Sequence, residues 1–245
     1  MASNLNILEK LIKPIKDYFE DKEEKNQFKK RLKKSAVNSN FKELEQIDGN
    51  LEEFQNYLNK YGKIGIILGA RGSGKSALGI RILENLNASE KKVYAMGFRK
   101  DRLPKWISPV ESVQEISNNS FLLADESGIK FSSRSSMSST NKLLSELLFI
   151  SRHKNISIIF IAQNSSNIEI NTLRQADYLL LKPSSLLQLD FERKKIKEIY
   201  KEVSEQFKKH NGKGTTYIYS DIYRGFVENF LPSFWTEDLS KSFSR

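Results

Sequence analysis

Gly69-Ala70-Arg71-Gly72-Ser73-Gly74-Lys75-Ser76 stands between an apolar run, Ile64-Gly65-Ile66-Ile67-Leu68, and a helical pattern from Ala77 to Leu86. Its three glycines permit positive φ and close approach of the backbone, so successive N–H groups converge on an anion. The helix beginning at Lys75 aims its positive dipole end at the same point. Lys75 brings a point charge to β- and γ-phosphates, and the Ser76 hydroxyl is a Mg²⁺ ligand. Strand before and helix after are the context this pattern needs. Gly69, Ala70, Arg71, Gly72, Ser73, Gly74, Lys75, Ser76 and Ala77 are therefore expected to bind ATP with Mg²⁺.

Outward from the loop, short apolar runs alternate with helical stretches. Lys92 to Phe98 is read as a second strand, Phe121 to Ala124 as a third, Ile156 to Ala162 as a fourth and Asp177 to Leu181 as a fifth. Consecutive apolar residues separated by helices indicate a parallel sheet covered on both faces, hence an α/β fold. Leu189 to Lys209 reads as one basic helix, and Thr215–Tyr219 with Gly225–Val227 as a terminal hairpin turned around Ser220 to Arg224.

Two strand ends carry further chemistry. Phe121-Leu122-Leu123-Ala124-Asp125-Glu126 places the Asp125 carboxylate beside the metal, and Glu126 where it can take a proton from an attacking water. Ile158-Ile159-Phe160-Ile161-Ala162 delivers Gln163 to the strand end where ligands collect in such sheets. Gln163 is the candidate to bond the water or the γ-phosphate; Asn164 is its rival, and either can cap the following turn.

Residues 1–60 differ from the rest: dense in Lys and Glu, nearly free of glycine, with apolar residues at helical spacing. Leu5, Leu8, Ile12, Ile15 and Phe19 form one stripe, broken at Pro14. Phe41, Leu44, Leu51, Phe54, Leu58 and Tyr61 form another, with Gly49-Asn50 as a joint. These residues read as a helical extension, and 61–245 as the nucleotide-binding domain. The basic run Lys29-Lys30-Arg31-Leu32-Lys33-Lys34 reads as a solvated helix face.

Across its 245 residues the chain has 40 Lys and Arg against 30 acids, a net charge of +10 that favours a polyanion, most commonly nucleic acid. With no cysteine and only His153 and His210, disulfides and thiolate zinc sites are excluded. The N-terminus lacks an apolar signal core, and no segment approaches the roughly 20 apolar residues of a membrane span. A cytoplasmic or virion-associated location is expected.

Phosphate loop, strand ending Asp125-Glu126 and strand ending Gln163 together resemble the FtsK/HerA superfamily of DNA-pumping ATPases. The likeness is closest to the branch of viral genome-packaging ATPases and Zot-like assembly proteins. Leu103-Pro104-Lys105-Trp106-Ile107, Ser151-Arg152-His153-Lys154-Asn155-Ile156 and Thr172-Leu173-Arg174-Gln175-Ala176-Asp177-Tyr178 support it, so that residues 62–182 are covered. The resemblance implies a RecA-like (ASCE) P-loop NTPase sheet of order 5-1-4-3-2, with the Gln163 strand between the other two. It further implies a hexameric ring moving double-stranded DNA, and an arginine supplied by a neighbour. Arg152 is the first candidate for that arginine and Arg174 the second; Arg71 serves its own subunit. A capsid or membrane-complex partner is the implied docking target.

The hydroxyl-rich stretch Ser132 to Thr140 reads as a loop, either gripping a DNA backbone or simply solvated. Phe98 and Trp106 beside Arg99, Lys100 and Arg102 suggest a basic surface. DNA translocation competes with two other readings: an ATPase for virion assembly or export, and a nucleotide-dependent switch. Glu126 beside Asp125 speaks for hydrolysis, and no Asn-Lys-x-Asp segment supports guanine specificity.

Overall fold

The computed structural model describes residue 26, residues 29–132 and residues 137–236. The Leu5–Phe19 stripe lies outside the described residues. Nine strands form one sheet: β1 (Lys42–Gly49), β2 (Ile64–Leu68), β3 (Val93–Met96), β4 (Ser108–Val110), β5 (Ser120–Asp125), β6 (Ile156–Ile161), β7 (Tyr178–Leu181), β8 (Thr215–Ser220) and β9 (Tyr223–Glu228). The helices are α1 (Leu51–Leu58), α2 (Lys75–Ala88), α3 (Glu126–Ser132), α4 (Met137–Lys154), α5 (Ile170–Arg174), α6 (Leu186–Asp190), α7 (Lys194–Glu202) and α8 (Ser204–Lys209).

The strand order is β1-β9-β8-β7-β2-β6-β5-β3-β4. It differs from the five-strand order 5-1-4-3-2 by four strands added at the edges. β8, β9 and β1 extend the β7 side in antiparallel pairing, and β4 continues the parallel ladder beyond β3. Between them run the parallel strands β7, β2, β6, β5 and β3, so β6 lies between β2 and β5.

Every residue of β2, β5 and β6 is buried, which is why these strands read as continuous apolar runs rather than alternating ones. Alternation within them divides the core. Ile66, Leu122, Ile158 and Phe160 join one layer with Leu144 and Leu147 of α4 and Ile196 and Ile199 of α7. Ile67, Leu123, Ile159 and Ile161 join the other with Leu78, Ile82 and Leu86 of α2. Helix α2 comes close enough that a Cβ on Gly79 would stand 2.6 Å from a Leu123 methyl.

Several expectations are corrected. Residues 42–49, read as part of a helical stripe, form edge strand β1, paired with β9 through two register shifts. Their sequence, Lys-Glu-Leu-Glu-Gln-Ile-Asp-Gly, is charged and mostly exposed, so local pattern reflects edge protection rather than helix. Only 51–58 of that stripe is helical, capped by Asn50 on the Glu53 N–H. The stretch Leu189 to Lys209 is three short helices, α6, α7 and α8, rather than one. Of the hydroxyl-rich stretch, Ser132 ends α3 and residues 137–140 begin α4; residues 133–136 lie outside the described set. Lys29, Lys30, Arg31, Lys33 and Lys34 are exposed. Phe98 and Trp106 pack against the α2 layer, while Arg99 and Arg102 pair with Asp101 and Lys100 with Glu111. Two local carboxylates thus offset part of the positive charge of the basic surface expected there.

One buried ion pair ties both flanking segments to α2. Arg81 Nη2 and Glu84 Oε2 are 3.0 Å apart, with side chains 4% and 0% exposed. Arg81 also donates to the carbonyls of Val37 and Leu231, each at 2.8 Å. Glu84 accepts from Val37 N at 3.2 Å, from Ser233 N at 3.0 Å and from the Ser233 hydroxyl. Removing one partner of such a pair leaves a buried charge uncompensated. Glu84→Ala is expected to lose about 3–5 kcal/mol, read as a lowered urea midpoint at unchanged slope.

Candidate phosphate-binding site

The loop from Gly69 to Gly74 leaves the carboxyl end of β2, where four chain segments meet. Main-chain bonds extend the ladder past the strand ends: Ala162 N to Ile67 O at 3.0 Å, and Lys182 N to Leu68 O at 2.8 Å. Ala70 N donates to Pro183 O at 3.0 Å, anchoring the loop's first turn. Because β5 and β6 run parallel to β2, Asp125 and Ala162-Gln163 arrive at the same edge.

Gly69, Gly72 and Gly74 have φ of 149°, 77° and 91°, in the region L side chains rarely adopt. At Gly69 space is a second constraint, since a Cβ would lie 2.6 Å from Lys182 Cβ. Gly72 meets nothing within 4 Å, so the crest of the loop is open to a ligand. Gly74 caps α2, whose first residue is Lys75.

Lys75 is buried, and its ammonium donates to the carbonyls of Gly69 and Ala70, both at 2.8 Å. Burial pushes its pKa down to about 8, against the attraction of Asp125 and Glu126. Asp125 is buried too, and burial raises its pKa against the N–H groups of Ser127 and Gly128 and the Lys75 charge. Its Oδ1 accepts from Ser127 N at 2.9 Å and its Oδ2 from the Ser76 hydroxyl at 3.4 Å. The Ser76–Asp125 contact brings the two metal-ligand candidates together. One hydroxyl and one carboxylate are oxygen donors that would suit a hard cation such as Mg²⁺. Glu126 opens α3 and is 7% exposed.

Gln163 is exposed at the end of β6, and its carbonyl accepts from the Gln188 amide. Asn164 takes the capping role instead, its Oδ1 accepting from Ser166 N at 2.7 Å. Arg71 is exposed on the loop. Arg152 and Arg174 stand elsewhere: they end α4 and α5, just before the amino ends of β6 and β7, at the sheet edge opposite the loop. Arg152 is exposed and bonds Gln175 Oε1 at 3.1 Å. Neither reaches the site of its own chain.

Two residues escaped the sequence reading. Gln188, on α6, donates to Gly69 O at 3.3 Å as well as to Gln163 O, linking loop and strand end. Lys182 follows β7 and is wholly buried beneath the loop. A lysine ending an apolar strand was the only available signal, and it looks like any surface lysine in sequence.

No family model and no curated protein matches the chain. Among solved structures, it is similar to the DNA-packaging ATPase B204 of Sulfolobus Turreted Icosahedral Virus, at 17% identity and a TM-score of 0.50, over 70% of this chain and 99% of that one. B204 of Sulfolobus turreted icosahedral virus 2, bound to AMPPCP, gives 17% identity and a TM-score of 0.49, over 69% and 99% of the two chains. The pCW3 conjugation coupling protein TcpA, with ATPgS, gives 12% and 0.48, over 76% of this chain and 65% of that one. At such identities the likeness is one of architecture. In architecture the chain is similar to the DNA-packaging ATPase B204.

Proposed function

We propose that this chain hydrolyses ATP at the loop between β2 and α2 and uses the reaction to move double-stranded DNA, working as a ring. The observation that carries the hydrolytic part is the meeting of Lys75, Ser76, Asp125 and Glu126 at one sheet edge. The DNA part rests on the net charge of +10, and on a fold shared with a viral DNA-packaging ATPase.

In this reading the N–H groups of Gly69 to Ala77 bind the phosphate oxygens, and the Lys75 ammonium neutralises charge on the terminal ones. Ser76 and Asp125 would hold Mg²⁺, which would supply charge neutralisation there. Glu126 accepts a proton from water as its oxygen attacks the γ-phosphorus, and ADP leaves with the bridging oxygen. Gln163 orients that water, and Gln188 keeps the Gln163 segment against the loop. Arg152 of a neighbouring subunit, at the far edge of its own sheet, is the first choice for the arginine in trans. A capsid or membrane-complex partner would receive the ring.

Glu126→Gln is expected to lower the ATPase rate by about 10²-fold or more while ATP binding persists. The wild-type rate should rise with double-stranded DNA, in samples whose mass in ATP shows a ring. A rate indifferent to DNA in an assembled ring would reject translocation and favour assembly or export. Turnover at background with nucleotide-dependent assembly would favour a switch.

Lys75 yields a stability prediction of opposite sign to its role. Its folded pKa is depressed to about 8, so the folded state sheds a proton before the unfolded one does. Its contribution to stability therefore rises between pH 8 and the ordinary lysine value of 10.5. Lys75→Met should abolish ATP binding, flatten that rise, and stabilise the free protein near neutral pH by about 2–3 kcal/mol in urea unfolding.

A further inference from the structure

Beneath the phosphate loop lies a cation that the proposed chemistry does not use. Lys182 is 0% exposed. Its stem packs under the loop: a Cβ on Gly69 would touch Lys182 Cβ at 2.6 Å, and one on Gly74 would lie 3.7 Å from Lys182 Cε. Its Nζ donates to Lys213 O at 2.8 Å, Thr216 Oγ1 at 3.2 Å and Asn229 Oδ1 at 3.2 Å. The Thr216 hydroxyl gives its own proton to Asn229 Oδ1 at 2.8 Å, so it can only accept from the lysine. Three acceptors facing one nitrogen are all met only by the ammonium; the neutral amine, with two N–H groups, leaves one of them unmet.

Among the described residues, no carboxylate pairs with this ammonium, and burial alone pushes its pKa down to about 7. The charged groups around it are few. On the loop side stands Lys75; on the α6–α7 side Glu192, with Tyr200, whose hydroxyl donates to Lys182 O at 3.0 Å; on the hairpin side Lys213 and Glu228. The hydrogen bonds favour a charge that the surroundings do not balance. The loop lying against its stem offers a place for a balancing anion.

We propose that Lys182 is a submerged positioning cation of the nucleotide site: it holds the floor of the phosphate loop and lends its charge to the phosphates from below. The inference rests on the reading of the loop as an ATP site. A triphosphate on the loop stabilises the ammonium, so binding draws a proton onto Lys182. Through Thr216 and Asn229 the same ammonium ties the loop to the β8–β9 hairpin, which then reports on whether the loop is filled.

The test is calorimetric titration of the full-length protein with AMPPCP and Mg²⁺, near pH 6 and near pH 8.5. Lys182→Gln, which keeps hydrogen-bonding capacity without charge, is compared with wild type. Expected is about tenfold weaker binding by the variant near pH 6, with the two proteins converging near pH 8.5, where the wild-type lysine is neutral. Lys75 titrates alike in both and cancels. Equal weakening at both pH values would reduce Lys182 to packing and overturn the proposal. A second measurement compares proton uptake: near pH 7, wild type should take up about half a proton more on binding than Lys182→Gln, from heats in two buffers of different ionisation enthalpy. No difference in uptake overturns the proposal while leaving the ATP site intact. Absence of AMPPCP binding by wild type at either pH, to a degree matching Lys75→Met, would overturn the site reading and this inference together.

Discussion

The structure depends on main-chain hydrogen bonds that continue the parallel ladder one step beyond the ends of β2, β6 and β7. Ala162 N on Ile67 O and Lys182 N on Leu68 O hold three strand ends level, and Ala70 N on Pro183 O adds the loop to them. The period-two alternation of a strand makes this alignment consequential. A slip of one residue would turn Ile66 and Ile67 into each other's core layers and carry Gln163 away from the loop. Burial on both faces forbids the slip, so the apolar runs that build the core also set the position of the chemistry.

The site itself opposes folding. Lys75, Asp125 and Lys182 are all buried, and burial moves the pKa of each toward its neutral form. These desolvated groups make the carboxyl edge of the sheet a place where burial works against folding. The compensation lies elsewhere, in the two apolar layers and in the Arg81–Glu84 pair. A site made of desolvated charges binds a polyanion strongly because little water remains to compete.

The centre of the fold was legible because its signals are local. Glycine spacing, an apolar run ending in two acids and another ending in Gln163 each state their chemistry within ten residues. The edges were not. β1 is charged, exposed and held by pairing with β9, some 180 residues away, and β4 is three residues long. Neither has a face buried well enough to impose a pattern on its sequence. Gln188 and Lys182 escaped for a similar reason: what makes them part of the site is proximity across the fold, to Gly69 in both cases. Helix α6 was missed as a separate element because the helical reading began at Leu189, inside it, and ran on past its end at Asp190.

The guanidinium of Arg81 grips the carbonyls of Val37 and Leu231 at once, so two segments far apart in sequence are held at a single point. That point is on α2, two turns from Lys75. Both segments therefore bear on the helix whose first turn carries Lys75. Residues 37 and 231 thus share one anchor on the helix that follows the glycine loop.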